Sequence, residues 1–301
     1  MLSKTSRRAR PFWTTRTAVL TAAAVTGLAG VLATSPAHAA GESVVVPRQE
    51  WSFNGITGRF DKAQLQRGFQ VYKEVCSSCH GLKFVYWRNL AEDGGPGLTE
   101  REVKALAAET AVQDGPNDEG EMFERPGLAS DTIRSPYANE QEARLANGGA
   151  YPPDLSLITK ARSVARPSLG FAPLNWVRDI FVGDESRGVD YTYKLLKGYP
   201  EEPPEGFKLG DGMYYNSVYP GNQIAMAAPL VDDIIEYAQS DVPTTVDQYA
   251  KDVSAFLAWT AEPKLEERKS LGLRVLLYLL VLSVLLYLAK RKLWSRVAGH
   301  D

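Results

Sequence analysis

The residues of this chain with the clearest chemical potential are two cysteines and a histidine, in Cys76-Ser77-Ser78-Cys79-His80. This C-x-x-C-H spacing is the attachment signal for a c-type haem. One helical turn can bring both thiols to the same side, where each can add to a haem vinyl group. The histidine that follows can then offer a ring nitrogen to the iron. The motif therefore predicts one covalently attached haem c, held by Cys76 and Cys79, with His80 as an axial ligand.

Other uses of a C-x-x-C pair fit this chain less well. Its 2 cysteines both lie in the motif, so no second pair can complete a tetrahedral zinc site. A thioredoxin-like dithiol does not need a histidine directly after its second cysteine. The remaining alternative is a binding or assembly protein in which the motif is incidental.

The second iron ligand decides whether such a haem binds small molecules or transfers electrons. Of the 3 histidines, His38 lies in the leader and His300 beyond the last apolar segment, so neither can pair with His80. Among the methionines, Met226 is favoured because its neighbours over 224–229 are small and apolar. Met213 and an open or lysine-ligated iron stay open as alternatives. A His/Met pair would raise the haem reduction potential.

The first 39 residues predict an export signal. Basic residues precede an apolar stretch over 17–33, and Ala37-His38-Ala39 supplies a cleavage pattern of small residues. The stretch is rich in Ala, Thr and Gly rather than Leu, so cleavage near Ala39 is favoured over retention as an anchor. We therefore expect 40–269 to be an exported, periplasmic domain.

A second apolar segment predicts a membrane anchor at 270–289. Its core, 271–289, is dense in Leu and Val, and at about 1.5 Å per helical residue it just spans a hydrocarbon layer. Residues 290–301 form a basic tail that begins Lys290-Arg291-Lys292. Basic flanks stay on the cytoplasmic side. The topology predicted is a single pass through the bacterial inner membrane, with a cytoplasmic carboxyl end.

The exported part of the chain is acidic, although the whole chain has a formal net charge of −2. Without the five basic residues of the leader, and without the four basic residues and one acidic residue of the tail, 25 Lys and Arg remain against 35 Asp and Glu, a net charge near −10. Much of this charge falls in an acidic loop over 114–124. Such a surface favours a basic protein partner and argues against nucleic acid.

Helical periodicity and capping residues predict a mostly α fold. Asp61 caps a helix over 61–75 that leads into the motif, and Thr99 with Glu102 forms the capping box of a second helix. Further helices are predicted over 139–147, 191–198, 231–240 and 245–260. Few segments have the pattern of strands, and 262–269 is expected to be a charged linker to the anchor.

Several stretches of the chain occur in an order that is typical of one family. They are VCSSCH at 75–80, VQDGPN and GEMF within 112–123, ANGGAYPPDLS at 146–156, PGNQIAMA at 220–227, and a region at 252–263. These stretches and the carboxyl-terminal anchor resemble the cytochrome c1 family, the haem subunits of cytochrome bc1 (ubiquinol–cytochrome c reductase) complexes. The resemblance implies a cytochrome c-like haem domain with loop insertions plus one transmembrane helix.

The resemblance also implies roles for particular residues. Cys76 and Cys79 would carry the thioether bonds, and His80 and Met226 would be the two axial ligands. Arg162 would pair with a haem propionate, and Pro153 would line the haem pocket. The segment 164–189 would be an enlarged loop, as in bacterial members, without the extra disulfide that some of them carry.

The function implied by the resemblance is electron transfer. The chain would accept an electron from the Rieske iron–sulfur protein and reduce a soluble basic cytochrome c. Cytochrome b would oxidise quinol, so this chain would have no quinol site, and the complex would couple the reaction to proton translocation. The alternative is a membrane-anchored monohaem cytochrome c outside any such complex.

Overall fold

The computed structural model describes residues 46–162, 174, 186–200, 202–238 and 240–295. The chain divides into two compact units, Met1–Gly41 and Glu42–Asp301, and every described residue belongs to the second. The predicted export signal, 1–39, lies outside the described residues. So do most of the predicted enlarged loop, 164–189, and the end of the basic tail.

The helix before the C-x-x-C-H motif, α1, spans Lys62–Glu74 as the sequence predicted. The Asp61 side chain accepts hydrogen bonds from the main-chain N–H groups of Ala63 and Gln64, which are among the free donors of the first turn. Leu65, Phe69 and Tyr72 recur at helical spacing and are buried. The sequence therefore sets both the start of this helix and its inward face.

The core of the domain is built on a close contact between α1 and a helix late in the chain, Val246–Ala261. Gly68 makes the approach possible, because a Cβ there would lie 2.1 Å from the Asp252 carbonyl oxygen. Beside this contact the Phe256 ring packs on Phe69 and Tyr72, with ring centroids 5.6 and 5.8 Å apart. The helix that precedes the motif is thus held in place by a helix from late in the sequence.

The remaining helices are short, with one exception. In chain order the helices are α1 Lys62–Glu74, α2 Glu100–Ala108, α3 Glu140–Ala146, α4 Ile158–Ala161, α5 Arg187–Lys197, α6 Val246–Ala261 and α7 Leu265–Trp294. Thr99 and Glu102 form the predicted capping box of α2. Asn139 caps α3, and Gly148 and Gly149 follow its end with φ of 60° and 92°.

Three small antiparallel sheets accompany the helices. The strands are β1 Leu82–Tyr86, β2 Ala111–Asp114, β3 Phe123–Pro126, β4 Thr132–Ile133, β5 Tyr214–Tyr215 and β6 Gln223–Ile224. They pair as β1 with β4, β2 with β3, and β5 with β6. The predicted acidic loop is therefore the end of a hairpin, a feature that the sequence analysis did not predict. The mostly α fold class is confirmed.

The predicted helix over 231–240 is wrong, because its described residues form turns. Asp233 has a φ of 59°, outside helical geometry, and its N–H donates to the Thr244 carbonyl at 2.8 Å. The Tyr249 hydroxyl donates to the carbonyl of Ile235 and accepts from the N–H of the same residue. Hydrogen bonds to Thr244, just before α6, and to Tyr249 on α6 thus replace the intrahelical hydrogen bonds that the periodicity predicted.

The expected charged linker before the anchor is also wrong from Leu265 onward, because α7 is continuous over 30 residues. Leu265 is buried in the core, and Glu266 accepts a hydrogen bond from the Phe60 N–H at 2.9 Å. Lys269 donates to the carbonyls of Phe53 and Gly55 at 2.6 and 2.8 Å. The start of the helix is therefore bound to the domain.

Helix α7 is long and apolar enough to cross a membrane, with a mean hydropathy of 2.3 over an 18-residue window that is not buried. It alone among the described residues meets that description. At about 1.5 Å per residue, 30 residues exceed a hydrocarbon core of about 30 Å. The residues beyond this length include the first turns of α7, which are bound to the domain. This helix therefore fits a membrane anchor.

Candidate functional site

The C-x-x-C-H motif forms a tight turn directly after α1. Cys76–Ser78 is a single 3₁₀ turn, and the N–H groups of Cys79 and His80 both donate to the Cys76 carbonyl, at 3.1 and 2.9 Å. The thiols and the imidazole therefore leave one turn of backbone. This is the local geometry that the spacing predicted.

His80 is held at both its main chain and its ring. The Tyr72 hydroxyl, from α1, donates to the His80 carbonyl at 2.9 Å. The ring Nδ1 lies 2.7 Å from the Pro153 carbonyl oxygen, so Nδ1 carries the proton and donates. The Nε2 lone pair is then available to a metal, in the arrangement by which a second partner orients a histidine ligand.

The protonation state of His80 suits ligation. Burial lowers the pKa of the His80 imidazole, and this effect exceeds the opposing effects of the Pro153 carbonyl and the Asp154 charge. The ring is consequently neutral at neutral pH, which is the form that binds metals. The donor chemistry of His80 therefore fits a haem iron.

The segment after Pro153 is docked along the residues that follow His80. The Leu155 N–H donates to the Gly81 carbonyl at 2.9 Å, and the Lys83 N–H donates to the Asp154 carboxylate at 2.8 Å. The buried Ser156 hydroxyl accepts from the Phe84 N–H at 3.1 Å. This ladder fixes Pro153 against His80, so the structure brings these two predicted site residues together.

The two cysteines are both free thiols and are partly buried. Burial, with a smaller contribution from the neighbouring Cys79, raises the pKa of the Cys76 thiol to about 12. A thiol in this state is protonated at neutral pH and is a poor thiolate nucleophile or zinc ligand. The raised pKa of Cys76 therefore disfavours a redox-active dithiol or a zinc site at this turn.

Met226 lies on a different part of the domain, just after β6. It is half-buried, and its main-chain carbonyl accepts a hydrogen bond from the Tyr199 hydroxyl at 3.1 Å. Its thioether accepts no hydrogen bond from any described residue, so the sulfur lone pairs are available to another partner. Four residues later Leu230 enters the core.

Arg162 lies at the carboxyl end of α4 with an exposed side chain. Its carbonyl packs on α5, since a Cβ on Gly188 would lie 2.4 Å from that oxygen. The guanidinium is close enough to Tyr191 to oppose the rise in the pKa of that phenol, which burial causes. Residues 163–173, which follow Arg162, lie outside the described part of the chain.

Three tyrosines at the site were not predicted to have a functional role. Tyr72 holds the His80 main chain, and Tyr199 holds the Met226 main chain. Tyr137 lies beside Cys79, and its hydroxyl accepts from the Asn147 side chain at 3.0 Å. Only Tyr72 carried a sequence signal, its position one helical turn before the motif. The other two act through contacts over distances that a sequence pattern does not reveal.

A second candidate site is the acidic hairpin, which we define as Asp118, Glu119 and Glu121 at the end of β2–β3. All three are exposed. The Asn117 side chain orders the turn by accepting from the N–H groups of Glu119 and Glu121, at 3.0 and 2.9 Å.

The remaining acidic residues of this predicted loop differ from the acidic hairpin. Arg125 forms ion pairs with Asp114 and Asp131, so the charge of Asp114 is compensated. These hydrogen-bonded pairs lower the pKa of Asp131 to about 2. Glu124 is exposed and accepts a hydrogen bond from Gln113 Nε2 at 3.0 Å. The negative charges of this loop that Arg125 does not pair are therefore those of Glu124 and of the acidic hairpin.

A cavity lies beside β2 and the segment around Pro152. Its volume is about 560 Å³, and it is lined by residues of β2 together with Gly81, Pro152 and Asp154. These last three adjoin His80 and Pro153 in the chain. The cavity therefore borders the residues next to His80 and Pro153, whereas its lining does not include the acidic hairpin.

Comparison with known proteins gives the same assignment along nearly the whole chain. The family model described as "Cytochrome C1 family" matches residues 51–297. The chain is 46% identical over 281 residues to "Cytochrome c1" of Blastochloris viridis, covering 93% of this chain and 96% of that protein. It is 44% identical to the "Cytochrome b-c1 complex catalytic subunit, mitochondrial" of Candida albicans, over 84% of this chain and 79% of that one.

A longer relative contains a region similar to this chain. "Cytochrome b/c1" of Bradyrhizobium diazoefficiens is 50% identical over 250 residues, which is 83% of this chain but 35% of that protein. The present chain thus spans about a third of that relative. The residues matched by the family model, 51–297, include the motif turn and α7, whose geometry and length suit a haem protein with a membrane anchor. This chain therefore belongs to the cytochrome c1 family.

Proposed function

We propose that this chain is the haem-bearing electron carrier of a membrane-bound quinol–cytochrome c reductase, the cytochrome bc1 complex. Members of the cytochrome c1 family are the haem subunits of that complex. The observation that carries the proposal is the His80 ring, held by the Pro153 carbonyl so that Nε2 is free, directly after a turn that carries the two cysteine thiols. These are the groups that covalent attachment and iron ligation require.

The haem-binding residues and the residues that orient them would have distinct roles. Cys76 and Cys79 would bind haem c through two thioether bonds, and His80 and Met226 would supply a nitrogen and a sulfur ligand. Bound haem c supplies one-electron chemistry, and a His/Met ligand pair favours a high reduction potential. Tyr72 and Pro153 orient His80, and Tyr199 orients the main chain of Met226.

Arg162 and Pro153 would have further roles at the haem. Arg162 would pair with a propionate, which is supported by its exposed cationic side chain at the end of α4. Pro153 would line the pocket on the His80 side, which is supported by the 2.7 Å contact with the ring. The docked segment Pro153–Ser156 would then both line the haem pocket and orient the His80 ring.

Within the complex, this chain would receive electrons from a Rieske iron–sulfur protein and pass them to a soluble cytochrome c. Cytochrome b would oxidise quinol, and this chain would have no quinol site. The chain alone would be an electron carrier, whereas the oxidoreductase and proton-translocating activities would belong to the assembly. The anchor α7 would lie in lipid and would also be the surface for neighbouring membrane subunits.

The proposed topology follows from the ends of the chain. Residues 1–39 would be a cleaved signal peptide, 40–269 the periplasmic haem domain, 270–289 the membrane span, and 290–301 the cytoplasmic tail. Support comes from Lys290, Arg291 and Lys292 at the far end of α7, because basic flanks remain cytoplasmic. The helix itself extends beyond both limits of the proposed span.

Purification from the native membrane in mild detergent tests this function. We expect the chain to co-migrate with a cytochrome b and a Rieske protein, and the fraction to reduce cytochrome c with quinol. The matched control is the same preparation with the specific quinol omitted. A chain that is recovered with haem but without these partners or quinol oxidation would support the alternative, an independent membrane-anchored cytochrome c.

The acidic hairpin would steer a basic soluble cytochrome c toward the haem region. Charges at this surface are exposed and are screened within about 8–10 Å at physiological salt. We expect the rate of cytochrome c reduction under second-order conditions to fall about tenfold or more from low to high ionic strength. Stopped-flow kinetics over a salt series measures this.

Variants of the hairpin show whether those charges are responsible. Glu119→Gln with Glu121→Gln should lower the rate at low salt and flatten its salt dependence. Glu100→Gln, an exposed glutamate on α2, is the matched control and should leave the salt dependence unchanged. An equal effect of the control, or a flat profile in the unmodified complex, would contradict the steering role.

A further inference from the structure

A buried carboxylate between α1 and α6 has a role that the haem site does not explain. Asp252 is fully buried. It accepts hydrogen bonds from Arg67 Nε and Nη2 at 2.9 and 3.2 Å, from the Tyr237 hydroxyl at 3.0 Å and from Gln248 Nε2 at 2.9 Å. We call these four residues the buried polar cluster. A charge buried so completely is tolerated because it is fully hydrogen-bonded.

The buried polar cluster joins three parts of the chain. Arg67 is on α1, the helix that leads into the C-x-x-C-H turn, and Asp252 and Gln248 are on α6. Tyr237 is in the irregular segment after Met226, and its ring packs edge-on against Tyr249 at 5.4 Å between centroids. The cluster therefore links α1, the helix before Cys76–His80, to the segment that follows Met226.

Other contacts fix the same segment to the same two helices. The Tyr249 hydroxyl binds the N–H and the carbonyl of Ile235, at 3.2 and 2.5 Å. Gln70 on α1 donates to the Glu236 carbonyl at 3.1 Å. Residues 235–237 have no regular secondary structure of their own. Their position is therefore set by side chains of α1 and α6.

This attachment limits how far Met226 can move. On its amino-terminal side the segment is held by β6 and by the Tyr199 hydroxyl. On its carboxyl-terminal side it enters the core at Leu230 and is then bound at 235–237. Between these attachments lie only exposed or half-buried residues that include Ala227 and Ala228. If Met226 is the iron ligand, these attachments on both sides would oppose a displacement of its main chain away from the iron.

We propose that the buried polar cluster is a positioning device that keeps the Met226 segment at a fixed distance from the haem-attachment helix. Arg67, Tyr237 and Asp252 would thereby hold the thioether of Met226 on the iron without touching it. The inference rests on the proposed function, in which Met226 is the second axial ligand. It adds positioning residues that lie outside the haem pocket.

Tyr237→Phe tests the proposal, because it removes one hydroxyl and leaves the buried ring in place. A hydrogen bond to a carboxylate is among the stronger kinds, so its loss should raise the population of Met226-free haem about tenfold. Carbon monoxide binds ferrous haem only at an open axial position, so its apparent affinity should rise by the same factor. The measurement is carbon monoxide titration of the reduced complex at the absorbance of haem c.

Tyr193→Phe is the matched control. The Tyr193 hydroxyl also donates to a carboxylate of α6, that of Asp247, at 2.6 Å, but it does not bind the segment 230–238. We expect this variant to bind carbon monoxide as the unmodified complex does. Tyr249→Phe, which removes the contacts to Ile235, provides a second test and should shift the affinity in the same direction as Tyr237→Phe. Equal affinities for Tyr237→Phe and Tyr193→Phe would overturn the proposal.

Met226→Leu separates this inference from the proposed function. If Met226 is the ligand, this variant binds carbon monoxide at high affinity, whatever Tyr237→Phe does. A Met226→Leu variant that behaves as the unmodified complex would overturn the ligand assignment and the inference together. A tight-binding Met226→Leu with an unaffected Tyr237→Phe would overturn the inference alone.

Discussion

Replacing Cys76 and Cys79 together by serine is expected to abolish covalent haem attachment. Serine keeps the approximate size of the side chain, but its hydroxyl cannot form the thioether that a thiol forms with a vinyl group. The motif turn should otherwise survive, since Cys79 and His80 bind the Cys76 carbonyl through main-chain atoms alone. Haem staining after denaturing electrophoresis measures the effect, because only covalently bound haem survives that treatment.

Ser78→Ala is the matched control for the cysteine variants. Ser78 lies between the cysteines, and its exposed hydroxyl donates only to the Val75 carbonyl, at 2.8 Å, and weakly to the Cys79 sulfur. We expect its haem stain to equal that of the unmodified chain. A stained band of full intensity in the double serine variant would exclude the c-type assignment. A colourless band in the unmodified chain would do the same.

Replacing Met226 by leucine is expected to lower the reduction potential of the haem while leaving it covalently attached. A thioether ligand raises the potential of a histidine-ligated haem, whereas leucine has no donor atom. We expect a fall of at least about 120 mV, which is about a hundredfold in a one-electron equilibrium. Electron transfer from the Rieske protein should then become unfavourable. An optical redox titration of the purified complex measures the shift.

Met213→Leu is the control that the sequence itself suggests, since Met213 was the alternative ligand. Met213 lies before β5, and its N–H donates to the Gly210 carbonyl at 3.1 Å. We expect its potential to equal that of the unmodified complex. A fall in Met213→Leu with an unchanged Met226→Leu would transfer the ligand role to Met213. Two unchanged potentials would indicate a different sixth ligand.

Local sequence signals were sufficient for the helices that begin at strong caps. Asp61, Thr99, Asn139 and Thr245 each accept a hydrogen bond from the first turn of the helix that follows. Such caps act over three or four residues, so they can be predicted from neighbouring residues in the sequence. The long apolar helix α7 was also predicted, because no turn signal interrupts its apolar run.

The failures share a physical cause. The segment 231–240 has a helical pattern of apolar residues, yet the hydroxyl of Tyr249 satisfies its main chain at Ile235. The acidic hairpin is held by the pairing of β2 with β3 and by Arg125 between two aspartates. In each case hydrogen bonds to residues beyond one helical turn override the local pattern, which is the usual limit of propensity arguments.

By itself the sequence determined the C-x-x-C-H motif, the capped helix before it, the long apolar helix near the carboxyl end and the acidic character of the chain between its leader and its basic tail. These features depend on residues that are adjacent in the chain, or on composition. Only the tertiary structure decided that the Pro153 carbonyl orients His80, that Tyr199 binds the Met226 main chain, and that Asp252 joins α1 to Tyr237. Those contacts join residues 15 to 185 positions apart, and the folded core alone brings them within hydrogen-bonding distance.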